Sequence, residues 1–232
     1  MGKKIDRLLV WFQTEEGSIR NLSDLFYGLS FLYNTLLNEK YDGKKIKFIN
    51  INLETLGNYK KNPQIPLHYT HYYNGHLNFY GLFEKELFES LSYHEQTVHI
   101  WNKIHESLIE CSKATKNQHL LDASNYAYKK GIDTNLNTDY KIVETTFCYD
   151  NENYTASVWF LFEQNAMYSK LLIEKEDGTH CYEKEIDHTI LGNEYFLTIY
   201  KSIYLEGNTL ILKGKSDIDY LPMKFDLNQI LS

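Results

Sequence analysis

The sequence predicts an α+β protein. It reads as an N-terminal mixed α/β part, a small sheet with two major helices, followed by a C-terminal antiparallel β-meander. Three observations predict it. Short apolar runs at residues 8–12 and 46–53 flank a long helical period, the strand–helix–strand order that permits a parallel pair through a right-handed crossover. A second helix-rich stretch opens at Ser92. From Tyr140 onward, short alternating runs broken by turn residues recur at regular spacing, as in antiparallel sheets. The texture changes after Gly131, so the parts are assigned to 1–131 and 132–232. They pack as two domains, or share one sheet with the helices on one side.

Taken in order, Leu8-Leu9-Val10-Trp11-Phe12 reads as a buried strand, with a loop at Gly17 after it. Asn21 reads as a helix cap, with Asp24 three residues on. Leu22, Leu25, Phe26, Leu29, Leu32, Tyr33, Leu36 and Leu37 recur at three and four, which predicts one amphipathic helix ending near Asp42-Gly43. Residues 54–66, with Pro63 and Pro66, read as a loop. Asn74-Gly75 lies between alternating runs at 67–73 and 76–83, the strongest short hairpin signal. Ser92 and Glu95 form a capping box for a second helix lined by Val98, Trp101, Ile104, Leu108 and Cys111. A further helical stretch holds Leu120, Ala123 and Ala127, continuous with it or separate, with Gly131 as its stop. Beyond a polar linker at 133–139, strands are expected at 140–149, 154–163, 167–176, 179–187, 195–205 and 209–214, then a looser tail. Trp11, Trp101 and Trp159 each sit among apolar neighbours and read as core anchors.

Bulk numbers narrow the function. Hydrophobic residues make up 43% and charged residues 24% of the 232, which excludes a disordered chain, a collagen-like fibre and a coiled coil. Twenty-four basic residues stand against 31 acidic ones, a net charge of −7, and only Arg7 and Arg20 are arginine. Nucleic-acid readers need a cationic footprint and favour arginine, so nucleic acid is not expected. Cys111, Cys148 and Cys181 have no metal or disulfide spacing and read as reduced thiols. The start, with Gly2 and Asp6, carries neither a secretory pattern nor a myristoylation signal, and no run approaches ~20 apolar residues. A soluble, cytoplasmic protein with no membrane partner is expected.

Two surfaces stand out. A two-residue turn at Asn74-Gly75 pairs Tyr73 with His76, His71 with Asn78 and Tyr69 with Tyr80. One face of that hairpin then holds Tyr69, His71, Tyr73, His76, Asn78 and Tyr80, an aromatic and polar mixture typical of recognition surfaces. Leu77 and Phe79 lie on the other, core face. The same rings would also suit an edge hairpin half-covering a helix. A two-residue turn at Asp177-Gly178 sets Glu174 opposite Cys181, Leu172 opposite Glu183 and Lys170 opposite Glu185. That gathers Glu174, Glu176, Glu183 and Glu185 on one face, where a cationic partner would relieve their repulsion. A solvated face with Lys170 as counter-charge fits the same residues.

No chemistry-bearing motif competes with these surfaces. His71 and His76 share a face but lack further ligands, so no metal is expected. His94, His99 and His105 are not spaced as in metalloproteases. Cys181 and His180 are adjacent on a strand and point apart. No phosphate loop, dinucleotide fingerprint or nucleophile elbow occurs, so no cofactor is expected. The leading expectation is therefore a non-enzymatic protein–protein interaction module with a basic protein partner. Bacterial immunity proteins, which cap a toxin's basic site, share this composition, though no motif carries the likeness. A ligand-binding protein with a tyrosine-lined cleft and an uncharacterised hydrolase are the alternatives.

Overall fold

A computed structural model describes residues 4–43, 45–61, 63 and 65–231. The residues at the start read for a leader or lipid signal, 1–3, lie outside that set, as do 62 and 64 of the expected loop. The chain divides into two compact units, Met1–Thr138 and Asp139–Ser232.

In the first unit, β1 (Arg7–Thr14), the two-residue β2 (Gly17–Ser18), β3 (Phe48–Glu54), β4 (Tyr69–Tyr73) and β5 (His76–Leu82) form one sheet in the order β2-β1-β3-β5-β4. β1 and β3 pair in parallel, as the strand–helix–strand order predicts, and β3 and β5 also run parallel. The hairpin of β4 and β5 has the predicted register, Tyr69 opposite Tyr80, His71 opposite Asn78 and Tyr73 opposite His76. Asn74 and Gly75 both have positive φ, at 46° and 88°, the turn that matches strand twist.

The connections depart from expectation in four places. The single helix expected from Leu22 to Leu37 is two, α1 (Arg20–Leu25) and α2 (Tyr27–Lys40), broken at Phe26. Phe26 is buried edge-on to Phe88 and stacked on Tyr93, so packing sets its backbone against the helical period. Asn21 lies inside α1, and Ile19 is the cap. The expected loop holds α3 (Leu56–Lys61), whose first turn is capped by the Thr55 hydroxyl accepting the Asn58 N–H at 3.2 Å. A further short helix, α4 (Lys85–Ser90), follows the hairpin. The capping box does open α5 (Tyr93–Thr115), and a left-handed Lys116 separates it from α6 (Gln118–Asp133), capped by Asn117.

Period-two alternation sends Leu8, Val10, Phe12, Ile49, Ile51, Leu53, Leu77 and Phe79 to one side of the sheet. There they pack with Leu29, Tyr33 and Leu37 of α2, Trp101, Ile104 and Leu108 of α5, and Leu120, Ala123 and Ala127 of α6. Trp101 is the expected core anchor, fully buried, with its indole N–H donating to the Tyr128 carbonyl at 3.2 Å. Gly131 is not a helix stop. It lies within α6 because a Cβ there would sit 2.1 Å from the Trp101 ring. The helix ends two residues later, and Leu136, in the expected linker, is itself buried in this core.

The second unit is antiparallel throughout. β6 (Tyr140–Tyr149), β7 (Glu152–Phe162), β8 (Met167–Lys175) and β9 (His180–Thr189) form a meander. β10 (Tyr200–Glu206), β11 (Thr209–Gly214) and β12 (Met223–Asp226) form a second sheet, followed by α7 (Leu227–Ile230). The strand expected from residue 195 starts only at Tyr200, because Phe196–Thr198 close a 3₁₀ turn. Phe196 and Tyr200 meet Phe160 of β7 at 5.1 and 5.9 Å between ring centres. Trp159 is a half-exposed residue on the opposite face of β7, and Trp11 likewise lies off the core face of β1. A short apolar run does not reveal which of its sides is covered, which is why both tryptophans read as core.

Among the described residues no helix is long and apolar enough to cross a membrane.

Two stability outcomes follow. Gly131→Ala should lower the denaturant midpoint by an amount equivalent to about 1–3 kcal/mol, the usual cost of overpacking a buried ring. Helix propensity alone would raise stability by about 1 kcal/mol, so the sign of the change decides between packing and propensity. Burial also holds the His99 and His105 imidazoles below their ordinary 6.5. The unfolded chain then binds more protons below that pH, and stability should fall as the solution is acidified through it. Thermal melts of wild type and His99→Leu at neutral and mildly acidic pH check this. The variant's acid loss should be smaller, and superimposed losses would contradict the assignment.

Candidate functional site

The face of the first sheet opposite the core carries a different chemistry. Register places Arg7, Phe48, His76 and Tyr73 in one row, Leu9, Asn50, Asn78 and His71 in the next, and Trp11, Asn52, Tyr80 and Tyr69 in a third. No residue of this face belongs to the buried core. All six hairpin residues singled out from the sequence, Tyr69, His71, Tyr73, His76, Asn78 and Tyr80, lie on it together. Tyr73 is 70% exposed and Tyr69 41%.

Side-chain hydrogen bonds tie the middle of this face. The Trp11 indole N–H donates to the Asn50 side-chain oxygen at 3.3 Å, and the Asn50 amide donates to the Asn78 oxygen at 3.1 Å. That sequence of donor and acceptor fixes which way each amide points. Asn52 donates to the Phe79 carbonyl at 3.1 Å. Phe48 packs against the His76 ring at 4.8 Å, and Tyr69 stacks with His71 at 6.4 Å. Among the described residues the hydroxyls of Tyr69, Tyr73 and Tyr80 bond to no protein atom. Each ring thus keeps a polar handle for a partner.

Trp11, Phe48, Asn50 and Asn52 are the members that sequence reasoning missed. The alternation of Phe48, Asn50, Asn52 and Glu54 with Ile49, Ile51 and Leu53 was the available signal. Without the strand order it could not be joined to the hairpin. Residues 62–83 include no Asp, Glu, Lys or Arg, so contact here is aromatic and amide in character.

The acidic hairpin of the second unit differs from expectation. The Asp177 carboxylate accepts the Thr179 N–H at 2.9 Å, and this local turn replaces the two-residue connection with a longer one. Glu174 therefore faces His180 rather than Cys181. A bulge then restores the expected pairs, Leu172 with Glu183 and Lys170 with Glu185. Glu174, Glu183 and Glu185 share the outer face. Glu176 does not; it lies past the strand end, where its carboxylate accepts the Asn153 amide at 3.0 Å. Two of the carboxylates on this face have side-chain partners. Lys170 Nζ reaches Glu183 at 2.9 Å, and His188 Nδ1 reaches Glu185 at 3.3 Å. Lys141 Nζ sits 5.5 Å from the centre of the neighbouring Trp159 ring.

Burial pushes the Cys111 thiol up to about 12, where no thiolate forms at neutral pH. Its sulfur lies 3.6 Å from the Thr70 hydroxyl. Among the described residues no group of three or more His, Cys, Asp or Glu side chains is placed to hold a metal ion.

No protein-family model, no curated protein and no solved structure matches this chain.

The Lys170 ammonium holds the Glu183 carboxyl below its ordinary value. In Lys170→Met the Glu183 midpoint, followed by carboxyl-carbon NMR, should move up toward that of an unpaired glutamate. An unchanged midpoint would show that the pair is not formed in solution.

Proposed function

We propose that this chain is a non-enzymatic protein–protein interaction module that binds through the outer face of β1, β3, β5 and β4. Within that class we assign it to the immunity type, a cytoplasmic protein that caps a basic toxin or effector. The observation that carries the reading is the outer face itself. Sheets with a parallel centre are normally covered on both sides. Here the core draws on one side only, and the other presents Trp11, Phe48, Tyr80, Tyr69 and Tyr73 around a ladder of side-chain amides. Rigid aromatics with polar tips are the residues that dominate interface energetics.

Electrostatics support a basic partner through the second unit. Residues 139–232 carry 16 carboxylates against 8 lysines, a net of −8. Because Glu183 is already paired with Lys170 and Glu176 lies past the strand end, these acids and the rest of the unit's carboxylates act as a summed field rather than as four docking contacts. Such a field speeds encounter with a cationic protein more than it holds the complex. The same sign, with two arginines in the chain, weighs against nucleic acid. Three free thiols, one of them exposed at Cys148, suit a reducing compartment.

Capture of partners from native cells with tagged protein, at low and at high salt, tests the class. The expected result is a stoichiometric basic protein that is shed as salt rises. With that protein in hand, Tyr73→Ala or Tyr80→Ala should weaken binding about tenfold or more, as interface hot spots do. Glu183→Lys with Glu185→Lys should slow association at low salt and flatten its salt dependence. A basic partner held equally well by both tyrosine variants would overturn the assignment of the surface.

A further inference from the structure

The strand edges of this protein are treated unequally. An exposed edge invites pairing with another chain, and native sheets blunt it with charge, bulges, proline or shortness. Among the described residues the other strands that end a sheet are short, charged or bulged. β2 is two residues long, and β12 four. β6 carries Lys141, Glu144 and a register shift between Lys141 and Val143. β9 carries Glu183, Lys184, Glu185 and Asp187 and faces two register shifts. β10 carries Lys201 at its own shift between Tyr200 and Ser202. β4 has none of these devices. Its five residues, Tyr69-Thr70-His71-Tyr72-Tyr73, are in unbroken register with β5, uncharged and at the sheet's end.

The backbone polarity of β4 follows from the hairpin. Tyr73 and His76 flank a two-residue turn, so they exchange hydrogen bonds, as do His71 with Asn78 and Tyr69 with Tyr80. Thr70 and Tyr72 then direct their N–H and C=O groups away from the sheet. The side-chain pattern is symmetric about His71, with Tyr69 and Tyr73 on the outer face and Thr70 and Tyr72 on the inner.

We propose that β4 pairs antiparallel with β4 of a second copy of this chain about a two-fold axis through His71. In that register Thr70 stands opposite the partner's Tyr72, and each such pair exchanges two hydrogen bonds, four in all. Tyr69 stands opposite the partner's Tyr73, and His71 opposite the partner's His71. No like charges oppose one another, which favours self-pairing over a basic segment of another protein: nothing from residue 62 to 83 would neutralise one. The contact joins two five-stranded sheets into one of ten strands, with the outer faces continuous. Five-residue strands form a small interface, so the dimer is reversible and concentration-dependent. The inference rests on the edge, not on the function proposed for the face.

Sedimentation velocity of the full chain, from micromolar to millimolar, tests it. Wild type should pass from 27.5 kDa toward twice that mass. His71→Lys and His71→Glu place like charges face to face across the axis, and each alone should stay monomeric. Their mixture should dimerise again, because the two charges then attract. His71 is exposed, so both variants should keep the wild-type circular dichroism. A wild type monomeric at every concentration would overturn the proposal. So would a dimer that either variant leaves intact, or a mixture that stays monomeric.

Discussion

The one-sided use of the first sheet is the constraint on which the rest depends. In β1, β3 and β5 the period of two sends apolar residues to the covered side and, in the central rows, Trp11, Asn50, Asn52, Asn78 and Tyr80, with Leu9, to the other. Three helices then need to cover only one side. A shift of register by one residue would exchange the two chemistries, burying Asn50 and Asn78 and exposing Ile51 and Phe79. Fold and candidate surface are therefore set by the same alternation, and neither can change alone.

Within that frame Trp101 organises the covered side. Its ring meets Tyr33 of α2 at 4.5 Å between centres and excludes any side chain at position 131 of α6. Tyr33 in turn donates to the Ser124 carbonyl at 3.0 Å and lies 3.1 Å from His105 Nδ1. Its burial raises its phenol well above the ordinary range, so it stays neutral and available as a donor. α2, α5 and α6 are thus locked by one aromatic contact and one buried polar chain. No residue of the outer face takes part in that lock.

Much of this was legible in the sequence where a local rule decides. Asn74-Gly75 specified a turn and, through it, every pair of the hairpin. The capping box at Ser92 fixed the start of α5. Strand–helix–strand order gave the parallel pairing of β1 and β3. What stayed illegible depends on distant partners. Phe26 breaks a helix because Phe88 and Tyr93 hold its ring. Gly131 imitates a helix stop, although it is there for the Trp101 ring. Trp11 sits in a wholly apolar run, so only the strand order shows which side it takes. In the acidic hairpin Leu172 and Lys170 meet Glu183 and Glu185 as expected, whereas Glu174 and Glu176 depart for a local reason: the Asp177 carboxylate captures the Thr179 N–H and lengthens the turn.

The central claim is that the face opposite the core recognises a protein. Amide hydrogen exchange of the protein bound to the partner captured from native cells tests it most directly. The account predicts added protection at Asn50, Asn78, Tyr80 and residues 69–73, with β8 and β9 unchanged. Protection confined to β8 and β9, with the first sheet exchanging as in the free protein, would contradict it.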